Sequence, residues 1–358
     1  MALSARTRVD LYFGARFGGP PAEVVSTPGR VVLLGEHLDH QGGTVLAVPL
    51  REGVHVAWGL RPDRRVALHA LNARATDTFE TTGLVRSGRR WADLARGVFA
   101  RLGEGGRRLP GLNLAVYGDL LVGAGLASSA AYVTGLLRAV LAALGESATP
   151  ARVARDVAAI ESAWGGVRCG LMDPYVALAG RPGEVVLLDN RTLTHEILAL
   201  PPGADLAPEP TGIERRLDRT PYNERRAELE AALVAMRAVR PALVSLVDLV
   251  PDDLPDLARH VPAPARLRAR HVVTEGERVR RATGCLAAGD AVGLGALLWE
   301  GHRSLAEDFD CSLPAIDERV EALRKEPGVL GARLQGAGWG GSLVVLRRVS
   351  AGGPAPGS

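Results

Sequence analysis

Ionisable side chains stand close together in the segment PGRVVLLGEHLDHQGG, which spans residues 28–43 and is otherwise rich in Val, Leu and Gly, and four of them are candidate ligand-binding residues. They are Arg30, Glu36, His37 and Asp39. Carboxylates accept hydrogen bonds from pairs of hydroxyl groups, whereas imidazole and guanidinium groups donate them. The cluster therefore favours the binding of a polyhydroxylated ligand over a solvated surface turn. A zinc site at His37 and His40 is disfavoured, because no further ligand with suitable spacing accompanies them.

A glycine-rich loop that runs directly into a long apolar helix pattern is a candidate phosphate site. Its residues are Gly123, Ala124, Gly125, Leu126, Ala127, Ser128 and Ser129. Unpaired N–H groups and the positive dipole end at a helix N-terminus attract phosphate, and glycine permits its close approach. The alternative is a tight turn with Ser128 as the N-cap. A dinucleotide-binding loop is disfavoured, since Ser128 stands where that motif needs its third glycine.

Lysine-dependent nucleotide sites are excluded by the composition. The chain has a single lysine, Lys325 in the segment ALRKEPG, and neither a P-loop nor a protein-kinase motif surrounds it. A nucleotide triphosphate would have to be bound without lysine.

Two further segments carry candidate residues. The loop 335–342 between two strand patterns is either a wide hairpin turn or a second loop facing phosphate or substrate, with the residues Gly336, Ala337, Gly338, Gly340 and Gly341. Asp173 lies in the turn CGLMDPY, twelve residues after Glu161. By itself, Asp173 before Pro174 favours a structural turn. A carboxylate among apolar residues, however, has an unfavourable desolvation free energy unless it is paired or takes part in function.

The elements that must position these residues alternate between strands and helices in the first half of the chain. Short β-branched runs, among them VLAVPL and GVHVAWGL, predict separate strands, and residues 89–103 predict an amphipathic helix. Residues 195–215 are rich in Pro, Gly and Ala and predict a domain boundary, after which helical patterns dominate. We therefore expect domains at 1–195 and 196–348, followed by a disordered tail at 349–358.

Composition narrows the class of protein. A length of 358 residues predicts two domains. The 43 basic and 40 acidic residues are too evenly balanced for a nucleic-acid-binding face, and a mean hydropathy of +0.07 argues against a membrane span. Three widely separated cysteines predict reduced thiols. The N-terminal segment lacks the pattern of a secretory signal, so we expect a cytoplasmic location. We also expect a monomer or homodimer.

The order and spacing of these motifs resemble the galactokinases, within the wider family of galactokinase, homoserine, mevalonate and phosphomevalonate kinases. The similarity runs from about Phe13 to Leu346 and rests on seven segments: PGRVVLLGEHLDHQGG, GAGLASSAA, CGLMDPY, TPYNERRAE, HVVTEGERV, GHRSLAEDFDCSLPAID and LQGAGWGGSLVVL. The resemblance implies an α+β architecture with an N-terminal domain similar to ribosomal S5 domain 2, a ferredoxin-like C-terminal domain, and ATP and substrate bound between them.

The resemblance also implies roles for individual residues. Asp173 would accept the proton of the sugar hydroxyl, and Arg30 would stabilise charge on the reacting oxygens and keep Asp173 ionised. Ser128 or Ser129, with Glu161, would hold Mg²⁺ on the phosphates of ATP. The positions that would bind the sugar are Glu36, His37, Asp39, Gly170 and Tyr222. Phosphoryl transfer needs alignment and charge neutralisation more than covalent help, so this set suffices for it.

Several departures from the galactokinase pattern bear on the substrate. They are Val32, Leu38, His40, Gln41, Leu121, Ala127, Pro174 and Ser342. The predicted function is transfer of phosphate from ATP to the anomeric C1 hydroxyl of galactose or a related sugar. A heptose, an octose, a uronic acid or arabinose is the alternative substrate, in a specialised nucleotide-sugar or natural-product pathway. A sensor or co-regulator that binds sugar and ATP without turnover is the alternative of another class, and the presence of Ser128, Ser129, Glu161 and Asp173 disfavours it.

Overall fold

The computed structural model describes residues 3–121, 123–167, 169–214 and 220–349, and the chain divides into two compact units. Unit 1 comprises the described parts of Met1–Arg30, Leu50–Leu121 and Ala127–Ala179. Unit 2 comprises those of Val31–Pro49, Val122–Leu126 and Gly180–Ser358. The predicted boundary at residue 195 stays a prediction, and nearly all of the predicted tail lies outside the described residues.

Unit 1 combines a sheet with a group of helices. Its helices are α1 (Ala5–Phe17), α2 (Arg90–Leu102), α3 (Ser128–Ala143), α4 (Pro150–Gly165) and α5 (Met172–Ala179). Its strands are the first part of β1 (Glu23–Leu34), the second part of β2 (Thr44–Arg61), β3 (Arg65–Ala70), β4 (Ala75–Glu80) and β5 (Gly111–Gly118). Strand β5 pairs antiparallel with β2 and parallel with β3, which pairs antiparallel with β4.

Local signals explain where α4 begins and ends. The Thr149 side chain accepts a hydrogen bond from the backbone N–H of Arg152, and Pro150 occupies the first turn, where its missing N–H costs nothing. Gly166 closes the helix in the left-handed conformation, with φ of 73°. Helices α2, α3 and α4 pack against one another, so α4 has fixed neighbours in unit 1.

Unit 2 contains two groups of strands and most of the helices. The first part of β2 pairs antiparallel with β6 (Glu184–Asp189), which pairs with β7 (Thr194–Ala199). A second, antiparallel sheet has the order β8 (Ala204–Pro210), β10 (Ser342–Arg348), β9 (Val329–Leu334). The helices are α6 (Tyr222–Val239), α7 (Leu254–His260), α8 (Ala265–Ala288), α9 (Ala291–Ser304) and α10 (Pro314–Arg324).

Helix α8 lies at the centre of unit 2. It packs against α6 and α9, and α9 and α10 in turn pack on β9. Its buried face carries charged and polar residues as well as apolar ones, including His271 and Glu275, both fully buried. Buried charges are stable only when they are paired, so α8 must be matched by charges on neighbouring elements.

The structure confirms the α+β class and most of the predicted elements. Helix α2 occupies 90–102 of the predicted 89–103, and α3 follows the glycine loop. One prediction was wrong in detail. The runs VLAVPL and GVHVAWGL form one strand, β2, in which Pro49 lies between the stretch that pairs with β6 and the stretch that pairs with β5. Helix α1 was not predicted. Strands β7 and β8 occupy much of residues 195–215, and the domain boundary expected there stays a prediction.

Among the helices in the described part of the chain, none combines the length and apolar character that crossing a bilayer requires.

Candidate active site

A buried arginine and a partly exposed aspartate form an ion pair in unit 1. Arg30 lies on β1 with 4% of its side chain exposed, and its Nε donates to Oδ1 of Asp173 at 2.8 Å. Asp173 lies in the first turn of α5, where the helix dipole favours an acidic group. Because 27% of its side chain is exposed, the carboxylate is fixed in direction but remains accessible to a ligand.

A second pair in unit 1 joins α3 to α4. Oγ of Ser129 donates to Oε1 of Glu161 at 2.6 Å, and Glu161 is only 2% exposed. Burial raises the pKa of Glu161, and the negative charge of Asp173 raises it further. The hydrogen bond from Ser129 lowers this pKa but does not cancel the rise. A buried carboxylate in this state is well suited to a cation, which would offset its desolvation.

The first turn of α3 is open to an anion. Its N-cap residue is Ala127, which has a positive φ of 62° and makes no side-chain capping bond. The alternative in which Ser128 caps the helix is therefore wrong, because Ser128 is already the first helical residue. The first N–H groups of a helix lack intrahelical partners, so an uncapped start can receive phosphate oxygens.

The signature turn, residues 35–41, lies in unit 2 with aromatic neighbours. The His37 ring stacks on Phe309 with centroids 3.8 Å apart, and the Tyr222 ring lies 6.1 Å from that of His37. His37 has a φ of 66°, uncommon for a non-glycine residue and a sign of a constrained site. Asp39 begins the 3-10 turn Asp39–Gln41.

A buried charge network that the sequence did not reveal supports this turn. Nη2 of Arg333 lies 2.6 Å from Oε2 of Glu36, and its Nη1 donates to Oε1 of Glu275 at 2.7 Å. The same Glu275 oxygen accepts from the backbone N–H of Gly35 at 2.7 Å. Burial alone would raise the pKa of Glu275, but Arg333 and Arg278 outweigh it and hold that pKa well below the ordinary value. Glu275 is therefore a charged anchor for the turn.

The histidines around the turn are neutral at neutral pH. Burial lowers the pKa of His37 well below its ordinary value, lowers that of His40 to about 3 and lowers that of His271 to about 4. The two ring nitrogens of His271 lie 2.9 Å from Oγ of Ser304 and 3.2 Å from the carbonyl oxygen of Glu36. Helix α8 thus holds the turn by two residues, the charged Glu275 and the neutral His271.

The third loop, residues 335–342, connects β9 to β10 and contacts the phosphate loop 123–129. Oγ of Ser342 donates to the carbonyl oxygen of Ala124 at 2.7 Å, and Nε2 of Gln335 donates to that of Gly125 at 3.2 Å. Gly341 has a φ of 90°, and a Cβ there would lie 3.2 Å from the Ala124 oxygen. The loop is therefore a hairpin connection that also supports the phosphate loop.

The predicted site residues fall into two groups. Unit 1 holds Arg30, Ala127, Ser128, Ser129, Glu161, Gly170 and Asp173. Unit 2 holds Glu36, His37, Asp39, Gly123, Ala124, Gly125, Leu126, Tyr222, Gly336, Ala337, Gly338, Gly340 and Gly341. The structure brings together Arg30 with Asp173, Ser129 with Glu161, and His37 with Tyr222. The roles of these residues stay predictions.

Family comparisons agree with this arrangement of motifs. Residues 12–60 match the galactokinase galactose-binding signature, 93–181 the N-terminal domain of GHMP kinases and 282–348 their C-terminal domain. A galactokinase from Roseiflexus sp. (strain RS-1) is 37% identical over 340 residues, covering 93% of this chain and 85% of the relative. A galactokinase from Thermococcus kodakarensis is 34% identical over 326 residues, covering 90% of this chain and 88% of the relative.

This chain belongs to the galactokinase family. A solved galactokinase from Lactococcus lactis, in complex with galactose, superposes with a TM-score of 0.89 at 27% identity, covering 96% of this chain and 90% of that one.

Membership of the galactokinase family confirms the predicted two-domain α+β class and the predicted activity class. The protein is an ATP-using sugar kinase, a phosphotransferase with an alcohol group as acceptor. A non-catalytic sensor is not favoured.

Proposed function

We propose that this sugar kinase transfers the γ-phosphoryl group of ATP directly to the anomeric C1 hydroxyl of galactose. The observation that carries the proposal is the Arg30–Asp173 pair, in which a buried guanidinium fixes a carboxylate that a substrate can still reach. The galactokinase relatives and the galactose-bound Lactococcus lactis structure favour galactose over the other sugars considered.

Asp173 accepts the proton of the C1 hydroxyl as its oxygen attacks the γ-phosphorus. A new O–P bond forms, the bond to the β-phosphate oxygen breaks, and ADP leaves with the electron pair. Arg30 stabilises the negative charge that develops on the reacting oxygens. A general base contributes roughly 10²- to 10⁴-fold to the rate, so Asp173 carries a large share of the acceleration.

The residues around α3 fit a nucleotide with its metal. The uncapped first turn of α3 suits phosphate, and the buried Glu161 beside Ser129 suits a cation. Among the described residues no group of three or more His, Cys, Asp or Glu is placed to hold a metal, and Mg²⁺ is typically bound by one or two carboxylates together with substrate phosphates. Ser128, Ser129 and Glu161 would hold Mg²⁺, which supplies positive charge to the transferred phosphate when bound.

Sugar binding involves Glu36, His37, Asp39, Gly170 and Tyr222. His37 is neutral, so its ring can donate one hydrogen bond without carrying charge. Phe309 beneath the ring limits its rotation and fixes the direction of that bond.

Oligomeric state and location belong to the same proposal: a monomer or homodimer in the cytoplasm. None of the described cysteines Cys169, Cys285 and Cys311 forms a disulfide, which fits a reducing compartment. Light scattering during size exclusion distinguishes the two assembly states.

The test is ATP consumption with Mg²⁺ against galactose, arabinose, galacturonate, mannose and heptoses, with the product identified by phosphorus NMR. We expect turnover on galactose with an anomeric phosphate as product, and a kcat lowered by about 10²- to 10⁴-fold in Asp173→Asn. Asp63→Asn is the matched control, since Asp63 forms an exposed pair with Arg61 outside the proposed site and should leave kcat unchanged. Turnover on another sugar alone, or phosphate on another hydroxyl, would overturn the corresponding part of the proposal.

A further inference from the structure

Gln335 follows the last residue of β9 and is completely buried. Its side-chain Oε1 accepts from the backbone N–H of Val32 at 3.4 Å, and its Nε2 donates to the carbonyl oxygen of Gly125 at 3.2 Å. Only one orientation of the amide gives each backbone group the partner it needs, so the geometry fixes which end is oxygen.

The backbone groups of Val32 and Gly125 both lie in unit 2. They belong to the segments that the proposed function assigns to the sugar and to ATP. Val32 is on β1, two residues after Arg30 and four before Glu36. Gly125 is in the phosphate loop. The side chain of Gln335 therefore spans from the strand that leads into the signature turn to the loop that leads into α3.

Strand β9, which Gln335 follows, also contacts the signature turn. Arg333, two residues before Gln335, lies 2.6 Å from Glu36. The Gly125 carbonyl sits beside that of Ala124, which Ser342 holds by a separate hydrogen bond of 2.7 Å. The Ser342 hydroxyl donates to the phosphate loop, whereas the Gln335 amide joins that loop to β1, and this difference makes Ser342 a control for Gln335.

We propose that Gln335 is a positioning residue that couples sugar binding to ATP binding, so that each substrate tightens the binding of the other. The inference rests on the proposed function, because it assigns the signature turn to the sugar and the phosphate loop to ATP. A shift of either segment breaks one hydrogen bond of an amide that is completely buried, where solvent does not reach the broken bond. Ordering one segment therefore favours the ordered form of the other. Coupling of this kind is reciprocal, so the factor must be the same in both directions.

Calorimetry tests the coupling directly. The Kd of galactose is measured alone and with a saturating non-hydrolysable ATP analogue and Mg²⁺, and the Kd of the analogue is measured with and without galactose. In the wild type we expect the same ratio in both directions, roughly fivefold or more. In Gln335→Met, which keeps the length but has no amide, the ratio falls to about one.

Ser342→Ala separates coupling from general damage to the phosphate loop. It removes a hydrogen bond to the neighbouring carbonyl, so it should weaken the binding of the analogue while leaving the ratio at the wild-type value. A purely structural role for Gln335 would raise both dissociation constants of Gln335→Met and leave the ratio unchanged.

The ratio of dissociation constants in the wild type and in Gln335→Met decides between coupling and a purely structural role for Gln335. A wild-type ratio of one, or a ratio that survives in Gln335→Met, overturns the proposal. If circular dichroism shows that Gln335→Met is unfolded, Gln335→Asn replaces it, because its amide is one methylene too short to reach both partners. If the wild type binds another sugar of the panel instead of galactose, the substrate assignment fails and the ratio is measured with that sugar.

Discussion

Glu161 is a buried carboxyl group whose charge lowers the stability of the folded protein, a cost that its proposed role at the metal would explain. It is almost fully buried, its pKa is raised by that burial, and its hydrogen-bond partner Ser129 is neutral. A carboxyl group whose pKa is raised in the folded state stabilises the protein below the unfolded pKa of about 4.5 and destabilises it as pH rises above that value. At neutral pH the folded protein therefore bears a cost for the charge.

Replacing Glu161 by Gln should remove that cost together with the charge. We expect the free energy of unfolding in urea at pH 7.5, without added metal, to be unchanged or higher than in the wild type. We also expect kcat to fall and the Mg²⁺ concentration needed for half-maximal activity to rise. Glu146→Gln is the control, as Glu146 is a surface residue paired with Arg107. A variant with lower stability and an unchanged Mg²⁺ requirement would contradict the role proposed for Glu161.

Helix α8 and strand β9 support the signature turn through charges that are almost completely buried. Arg333 is fully buried between Glu36 and Glu275, which are also buried. Removing one partner of such a group leaves uncompensated charge, which typically destabilises a protein by about 3–5 kcal/mol.

Arg333→Met should therefore lower the free energy of unfolding by about 3–5 kcal/mol and raise the KM for sugar. The exposed Arg319, which pairs with Glu209 and Glu326, offers a matched control, and Arg319→Met should change stability by no more than about 1 kcal/mol. Equal, small effects of both arginine substitutions in urea unfolding would refute the role of the network.

His271 on the same helix makes stability depend on pH. Burial lowers its pKa from 6.5 to about 4, so the unfolded chain binds a proton more readily than the folded protein between these values. The contribution of His271 to the free energy of unfolding is complete above pH 6.5 and is lost as pH falls toward 4. The loss amounts to about 3 kcal/mol.

We expect His271→Asn to be less stable than the wild type at pH 7.5 but to lose less stability between pH 7.5 and pH 5. Urea unfolding at the two pH values measures both quantities. His260→Asn, at an exposed position in the last turn of α7, should follow the wild type at both. A pH dependence identical in wild type and His271→Asn would show that other groups are responsible.

At the scale of the whole molecule, the chain crosses between the two units five times. The segment Val31–Pro49, which carries the signature turn, belongs to unit 2, although most of the chain around it belongs to unit 1. A cut at residue 195 would separate this segment from Glu275, Arg333 and Gln335.

Fragments 1–195 and 196–358 should therefore each fail to unfold cooperatively when produced alone, whereas the full chain unfolds cooperatively in urea. Circular dichroism during the titration is the measurement, and mixing the two fragments should restore part of the native signal. A cooperative transition in either isolated fragment would support the domain boundary predicted from the sequence.

The sequence predicted what is local and missed what is distant. Glycine loops, helix starts and strand runs are signalled within a few residues, so the glycine loop before α3 and the helices α2, α3 and α4 were predicted. Glu275 lies 240 residues after the Gly35 N–H it binds, and Gln335 lies 303 residues after Val32. No local pattern marks such partners, although an arginine inside the apolar run of β9 was a signal that a buried acid must face it.

Lys325, which caps the end of α10, is exposed and is the only lysine in the chain. Amine-directed reagents therefore have one side chain to modify, in addition to the terminal amino group. The protein can be attached to a bead, an electrode or a dye through one defined side chain without engineering. Because Lys325 belongs to none of the three loops described above, we expect the tethered enzyme to keep its turnover.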